Sequence, residues 1–148
     1  MIIQLLAALG GTIGFSILYS APKEQYVSCG LTGMVGWAVF LLLTRFAAFS
    51  APAATFCATF IVAILARIVA RIRKCPATVF LITGIFPLIP GGSIYWTAYY
   101  LVMNDSVLAA HYGFLAMKIV FALVLGIVFV QDIPKRIFRV FKREDTVR

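Results

Sequence analysis

Phe86-Pro87-Leu88-Ile89-Pro90-Gly91-Gly92-Ser93 lies near the middle of an apolar run that reaches from Pro76 to Met103. Residues 76–103 make 28 positions. A straight helix crosses a hydrocarbon core of about 30 Å in roughly 20 residues, at about 1.5 Å of rise per residue. The run is therefore overlong, and its centre cannot remain helical. Two prolines and two glycines fall within residues 87–92. Each proline removes a backbone donor and clashes with the preceding turn. Two half-helices are expected, about residues 77–85 and 93–103, with unwound backbone between them. Backbone of that kind is tolerated at membrane depth only where it is buried in protein or lines a wet cavity.

On either side the chain reads as further crossings. Residues 2–20, 27–44, 50–70 and 107–130 are each apolar and long enough to span. The third opens at Ser50-Ala51-Pro52, an N-cap residue followed by proline in the first turn. The fold class is all-α: a polytopic membrane protein of about five helices over residues 1–133, the fourth broken. Residues 134–148 follow as a basic amphipathic tail. It interleaves Ile137, Phe138 and Phe141 with Lys135, Arg136, Arg139, Lys142 and Arg143, and it reads as lying on an anionic cytoplasmic leaflet.

Composition agrees with this class. Of the 148 residues 63% are hydrophobic and 12% charged. Soluble domains carry about 25% charged residues. A soluble fold of this size could not hide so much apolar surface, and a disordered chain would not contain it. The net charge of +8 does not read as a nucleic-acid footprint, because the basic residues cluster at the ends of apolar runs and in the tail. Anionic lipids are the expected partners of these charges, not nucleic acid. Lys23, Arg67, Arg71, Arg73, Lys74 and every basic residue of the tail fall on one side of a five-span chain. Arg45 and Lys118 fall on the other. The positive-inside rule makes the first side cytoplasmic and sets the N-terminus outside.

Small residues mark candidate helix contacts: Ala7, Gly10, Gly11 and Gly14 in the first span, Gly30, Gly33 and Gly36 in the second, Ala54 and Ala58 in the third. Such faces let backbones approach where lipid supplies no hydrophobic drive. They serve packing within the chain or contact with another subunit, including a homo-oligomer.

The groupings that enzymes need are missing. Cys29, Cys57 and Cys75 are widely spaced and form no metal motif. His111 is the lone histidine and reads as a surface residue within reach of Asp105. No catalytic residue, cofactor or metal site is expected. The polar content of the fourth span is more informative. If Ser93 caps the second half-helix, the N–H groups of Gly91, Gly92, Ser93 and Ile94 face the membrane interior and suit a carboxylate. Carbonyls near Phe86 and Pro87 suit an ammonium group. Discontinuous helices are a recurring binding device of secondary transporters. The expected substrate-binding set is Thr83, Gly84, Pro87, Pro90, Gly91, Gly92, Ser93, Tyr95 and Trp96, the last two lining a cavity. A plain proline kink in a packed bundle is the alternative. Arg67 either snorkels to headgroups or attracts anionic substrate as a gate.

The run from Pro76 to Gly91, with its Pro87-Leu88-Ile89-Pro90-Gly91 core, resembles the signature of the threonine/serine exporter (ThrE) family, in its C-terminal membrane half. The length and five-span pattern are similar to the stand-alone short subunit of that family, the YjjB-like proteins. The resemblance implies export of small amino acids such as threonine and serine across the inner membrane, driven by the proton motive force. Dicarboxylates such as succinate are a second implied substrate class. It also implies a larger ThrE-like (YjjP-like) partner subunit with a cytoplasmic domain and five helices of its own. The two halves would be inversely oriented about a shared site. Thr83 stands where many family members have another proline, so unwinding is expected to begin later here. A non-transporting scaffold subunit is the reading from a different class.

Overall fold

The structure, a computed structural model, describes residues 1–132. All regular structure among them is helical: α1 (Ile2–Leu18), α2 (Tyr26–Arg45), α3 (Ala51–Arg73), α4 (Ala77–Gly84), α5 (Gly91–Val102) and α6 (Ser106–Gln131). Short 3-10 turns cover Lys23–Gln25 before α2 and Phe86–Leu88 between α4 and α5. The basic tail expected at 134–148 lies outside the described residues.

Three stretches are long and apolar enough to cross a membrane: Lys23–Arg45, Ala51–Arg73 and Ser106–Gln131. Residues Ala77–Leu88 and Gly91–Val102 form a fourth stretch, bent by 52° at its break. The 17-residue α1 is apolar and slightly shorter. That makes three crossings, or four with the bent pair counted as one, and with the shorter α1 the apolar stretches agree roughly with the expected five.

Helix α3 is the centre of the bundle, with α2, α4 and α6 packed around it. Its row Ala54, Ala58, Val62, Ala66, Ala70 repeats every four residues and is buried throughout. Residues four apart share a helix face, and short side chains along that face let neighbouring helices close in. Gly126 of α6 sits where an added Cβ would lie 3.0 Å from the Phe56 carbonyl oxygen and 3.2 Å from the Phe60 nitrogen. On the other flank, a Cβ at Gly36 of α2 would meet Val62 at 2.5 Å. One at Gly84 would meet Thr32 at 2.9 Å and Val62 at 3.0 Å.

The small faces of α1 and α2 divide unequally. Gly30 and Gly33 of α2 receive Ile13 and Thr12 of α1. At Gly10 and Gly14 of α1 an added Cβ would have nothing within 4 Å, so these two do not serve packing among the described residues.

Most buried hydroxyls are satisfied inside their own helices; that of Thr59 in α3 meets no partner among the described residues. Thr12, Ser16, Thr32 and Thr83 each donate to the carbonyl four residues back, at 2.7–2.8 Å. Such back-bonding lets a polar side chain enter a dry core. The outer surface is the apolar one: Leu18, Val102 and Val107 are each at least 80% exposed. Lipid or another membrane chain is the medium for such a surface.

Asp105 does not reach for His111. Its carboxylate caps α6, accepting from the Leu108 N–H at 3.0 Å. His111 instead meets the Tyr112 ring edge-on at 5.4 Å. Capping satisfies a donor that would otherwise be orphaned at the helix start.

Candidate functional site at the broken helix

The break is built by its prolines. Helix α4 ends at Gly84, and its last turn closes through Ile85 N–H to the Leu81 carbonyl at 3.0 Å. Pro87 has no N–H to offer, and the chain tightens to a 3-10 turn held by Leu88 N–H to Ile85 at 2.9 Å and Ile89 N–H to Phe86 at 3.3 Å. Ile89 then turns extended, and Pro90 begins the next helix as its N-cap residue.

The second half-helix therefore starts earlier than Ser93, and Ser93 is not its cap. Proline with its fixed φ suits the entrance of a helix. This shortens the list of open donors. Gly91 N–H bonds the Ile89 carbonyl at 2.8 Å, and Ile94 N–H bonds Pro90 at 3.1 Å. Among the described residues, no acceptor meets the N–H groups of Gly92 and Ser93. The acceptor side shrinks likewise, because the Phe86 carbonyl is taken by Ile89. The Pro87 carbonyl meets no donor among the described residues.

The residues singled out from the sequence separate into two groups. Thr83 and Gly84 are buried, and Gly84 lies against Thr32 of α2 and Val62 of α3. The Thr83 hydroxyl is committed to Val79 at 2.8 Å. These two residues shape the near side of the break. Pro87 borders a cavity of about 250 Å³ between the break, α1 and α2, which Gln4, Gly11 and Trp37 also line. Phe86 beside it stacks on Phe15 of α1 at 4.4 Å.

The second group faces outward. Pro90 is buried, but Gly91 and Gly92 are exposed, with nothing within 4 Å of an added Cβ. Tyr95 is 61% exposed and Trp96 41% exposed, so among the described residues they line no enclosed cavity. They belong to an aromatic cluster with Tyr99, Tyr100 and Tyr112, ring centres 5.3–6.4 Å apart. Helix α5 has no buried residue, and among the described elements it packs to any extent only along α6. The open donors of Gly92 and Ser93 thus stand at the edge of the described bundle, not in its interior.

Arg67 is distant from the break. Its guanidinium Nη2 donates to the Gln131 carbonyl at 2.9 Å, at the end of α6. A cation there complements the partial negative charge of a helix C-terminus.

Gln4, Phe15 and Trp37 were not singled out from the sequence. Gln4 carried a signal, as the one amide side chain in the first span. Phe15 and Trp37 carried none, because an aromatic residue in an apolar helix has no mark that says which neighbour it meets.

No curated protein and no solved structure matches the chain. The sequence model of the family described as "Threonine/Serine exporter, ThrE" matches residues 4–133. The match takes in the broken fourth crossing and the helices on both sides of it, and the chain belongs to the threonine/serine exporter family.

Proposed function

We propose that the chain is one half of a secondary transporter that exports small amino acids of the threonine and serine kind across the inner membrane. It works with a larger membrane subunit bearing a cytoplasmic domain and draws on the proton motive force. The observation that carries this reading is the placement of the break. A bent crossing presents two unpaired donors, Gly92 and Ser93, at a helix N-terminus that none of the described helices covers. Donors aimed at one point receive a carboxylate well. Unpaired donors are costly against acyl chains, so a second protein half is the fitting cover. Tyr95 and Trp96 then close the shared cavity from this side, with Pro87 and Pro90 holding it open.

The family membership supports the exporter class. The charge distribution supports an N-terminus outside and a C-terminus in the cytoplasm. A five-helix half of that orientation, paired with one of the opposite orientation, makes an inverted repeat with its site between the halves. Gly10 and Gly14, open on the outer face of α1, suit close contact with the second half.

The test is export from vesicles containing both subunits. The double substitution Pro90→Ala/Gly91→Leu restores helix-forming residues, and Gly91 has open space for the leucine. Threonine efflux is expected to fall to the background of empty vesicles, with membrane insertion unchanged. Normal efflux in that variant overturns the reading. Full-rate efflux by the larger subunit alone would make this chain a scaffold. Faster efflux of succinate than of threonine would move the substrate to the dicarboxylates.

A further inference from the structure

A second polar locus lies away from the break, where α3 and α6 finish and α4 begins. A cavity of about 330 Å³ occupies the space between α4 and α6, over the last turns of α3. Its rim carries Arg67 and Arg71, one helical turn apart on α3, and Thr78 on the first turn of α4. Its floor is apolar, made by Ala63, Leu81 and Val130. Lys74 and Arg73 continue the positive charge at this end, and Asp132 follows Gln131 along the chain.

We propose that this cavity holds one anionic glycerophospholipid, its phosphate at Arg67, Arg71 and Thr78 and the start of an acyl chain over the alanine floor. Three observations converge. First, the cavity sits at an end of the bundle, where arginines on spanning helices meet headgroups. Second, guanidinium groups match phosphate oxygens in geometry and charge. The α4 N-terminus, with Ala77 and Thr78 on the cavity wall, adds the positive end of a helix dipole. Third, the floor offers nothing to a zwitterion. A free amino acid brings an ammonium as well as a carboxylate; the rim suits the carboxylate, but the ammonium would be repelled by the guanidinium groups and would lose water against alanine and valine. A phosphate joined to hydrocarbon fits both the rim and the floor. Basic pockets between spanning helices at this depth are suited to anionic headgroups. The Arg67 bond to Gln131 holds the guanidinium at the rim, so the site is positioned before lipid arrives. The site stands apart from the break and does not depend on the transport reading.

The test uses the purified full chain exchanged into equimolar phosphatidylglycerol and phosphatidylcholine, with retained lipid counted by native mass spectrometry. Each arginine near a headgroup contributes about 1 kcal/mol, so the pair gives a preference of roughly thirtyfold for phosphatidylglycerol. That preference is expected to disappear in Arg67→Gln/Arg71→Gln. It is also expected to disappear in Thr78→Trp, which fills the cavity from an exposed rim position and leaves both arginines and the helical content intact. Equal retention of the two lipids by the unmodified chain overturns the proposal. So does an undiminished preference in Thr78→Trp. Displacement of the lipid by millimolar inorganic phosphate would make this a free-anion site, and displacement by threonine would make it a substrate site. Either result also overturns the proposal.

Discussion

Gly126 and Gly10 are both glycines in apolar spans, and only their neighbours distinguish them. At Gly126 an added methyl would press on the backbone of α3, at the Phe56 carbonyl and the Phe60 nitrogen. Backbone cannot rotate away, so the two helices must separate. Gly126→Ala is expected to destabilise the bundle by about 1–3 kcal/mol, the usual cost of overpacking. Gly10→Ala meets open space and gains helix propensity, so it is expected to be neutral or stabilising by about 0.5–1 kcal/mol. Reversible unfolding in mixed micelles, followed by circular dichroism, measures both. The buried hydroxyls give the same lesson. Thr83 stood out in the sequence as polarity beside the break, yet its proton is spent on Val79 in its own helix.

At the scale of the element, helix ends are set by local geometry that the sequence conceals. Ser20, Ala48, Lys74 and Asn104 all have positive φ, and none is glycine. Lys74, at φ 54° and ψ 35°, ends α3. It allows the Cys75 N–H to return to the Ala70 carbonyl at 3.0 Å. A left-handed L-residue costs about 1–2 kcal/mol, and glycine removes most of that. Lys74→Gly is expected to raise unfolding stability by about 0.5–1 kcal/mol after the larger entropy of unfolded glycine is counted. The same micelle unfolding checks it; a loss of stability would mean that the lysine side chain matters more than its backbone. The broken crossing was legible because proline and glycine act through the backbone, which the sequence states directly. The place where α5 resumes was not. Ser93 is the better capping side chain by chemistry. The chain nevertheless starts helix at Gly91, since Pro90 already holds a compatible φ.

For the whole molecule, the question is which surfaces remain uncovered. Helix α3 is enclosed by α2, α4 and α6, while α5 leans on α6 and exposes its glycine start and its aromatic residues. Helix α1 keeps Gly10 and Gly14 outermost. On the proposed reading these faces meet the larger subunit. Gly10→Leu/Gly14→Leu is then expected to abolish co-purification with that subunit while leaving the fold of this chain unchanged, because neither site has a neighbour among the described residues. Pull-down from solubilised membranes, with circular dichroism of the isolated variant, separates loss of association from loss of folding. Retained association would place the second half elsewhere.

By itself the sequence determined that the chain is helical and membrane-embedded, roughly how many apolar stretches it has, and which of them is interrupted. These features are one-dimensional: runs of apolar residues have length, prolines lack donors, and both facts hold whatever the neighbours do. Only the tertiary structure decided which glycines are contacts, that the break is bordered by Gln4 and Trp37, and that Tyr95 and Trp96 face outward. It alone brought Arg67 to the end of α6, 64 residues away along the chain. In an apolar helix every face looks alike to a hydropathy pattern. Lipid and protein are equally greasy surroundings, so burial follows from shape and close approach, which exist only once the helices are side by side.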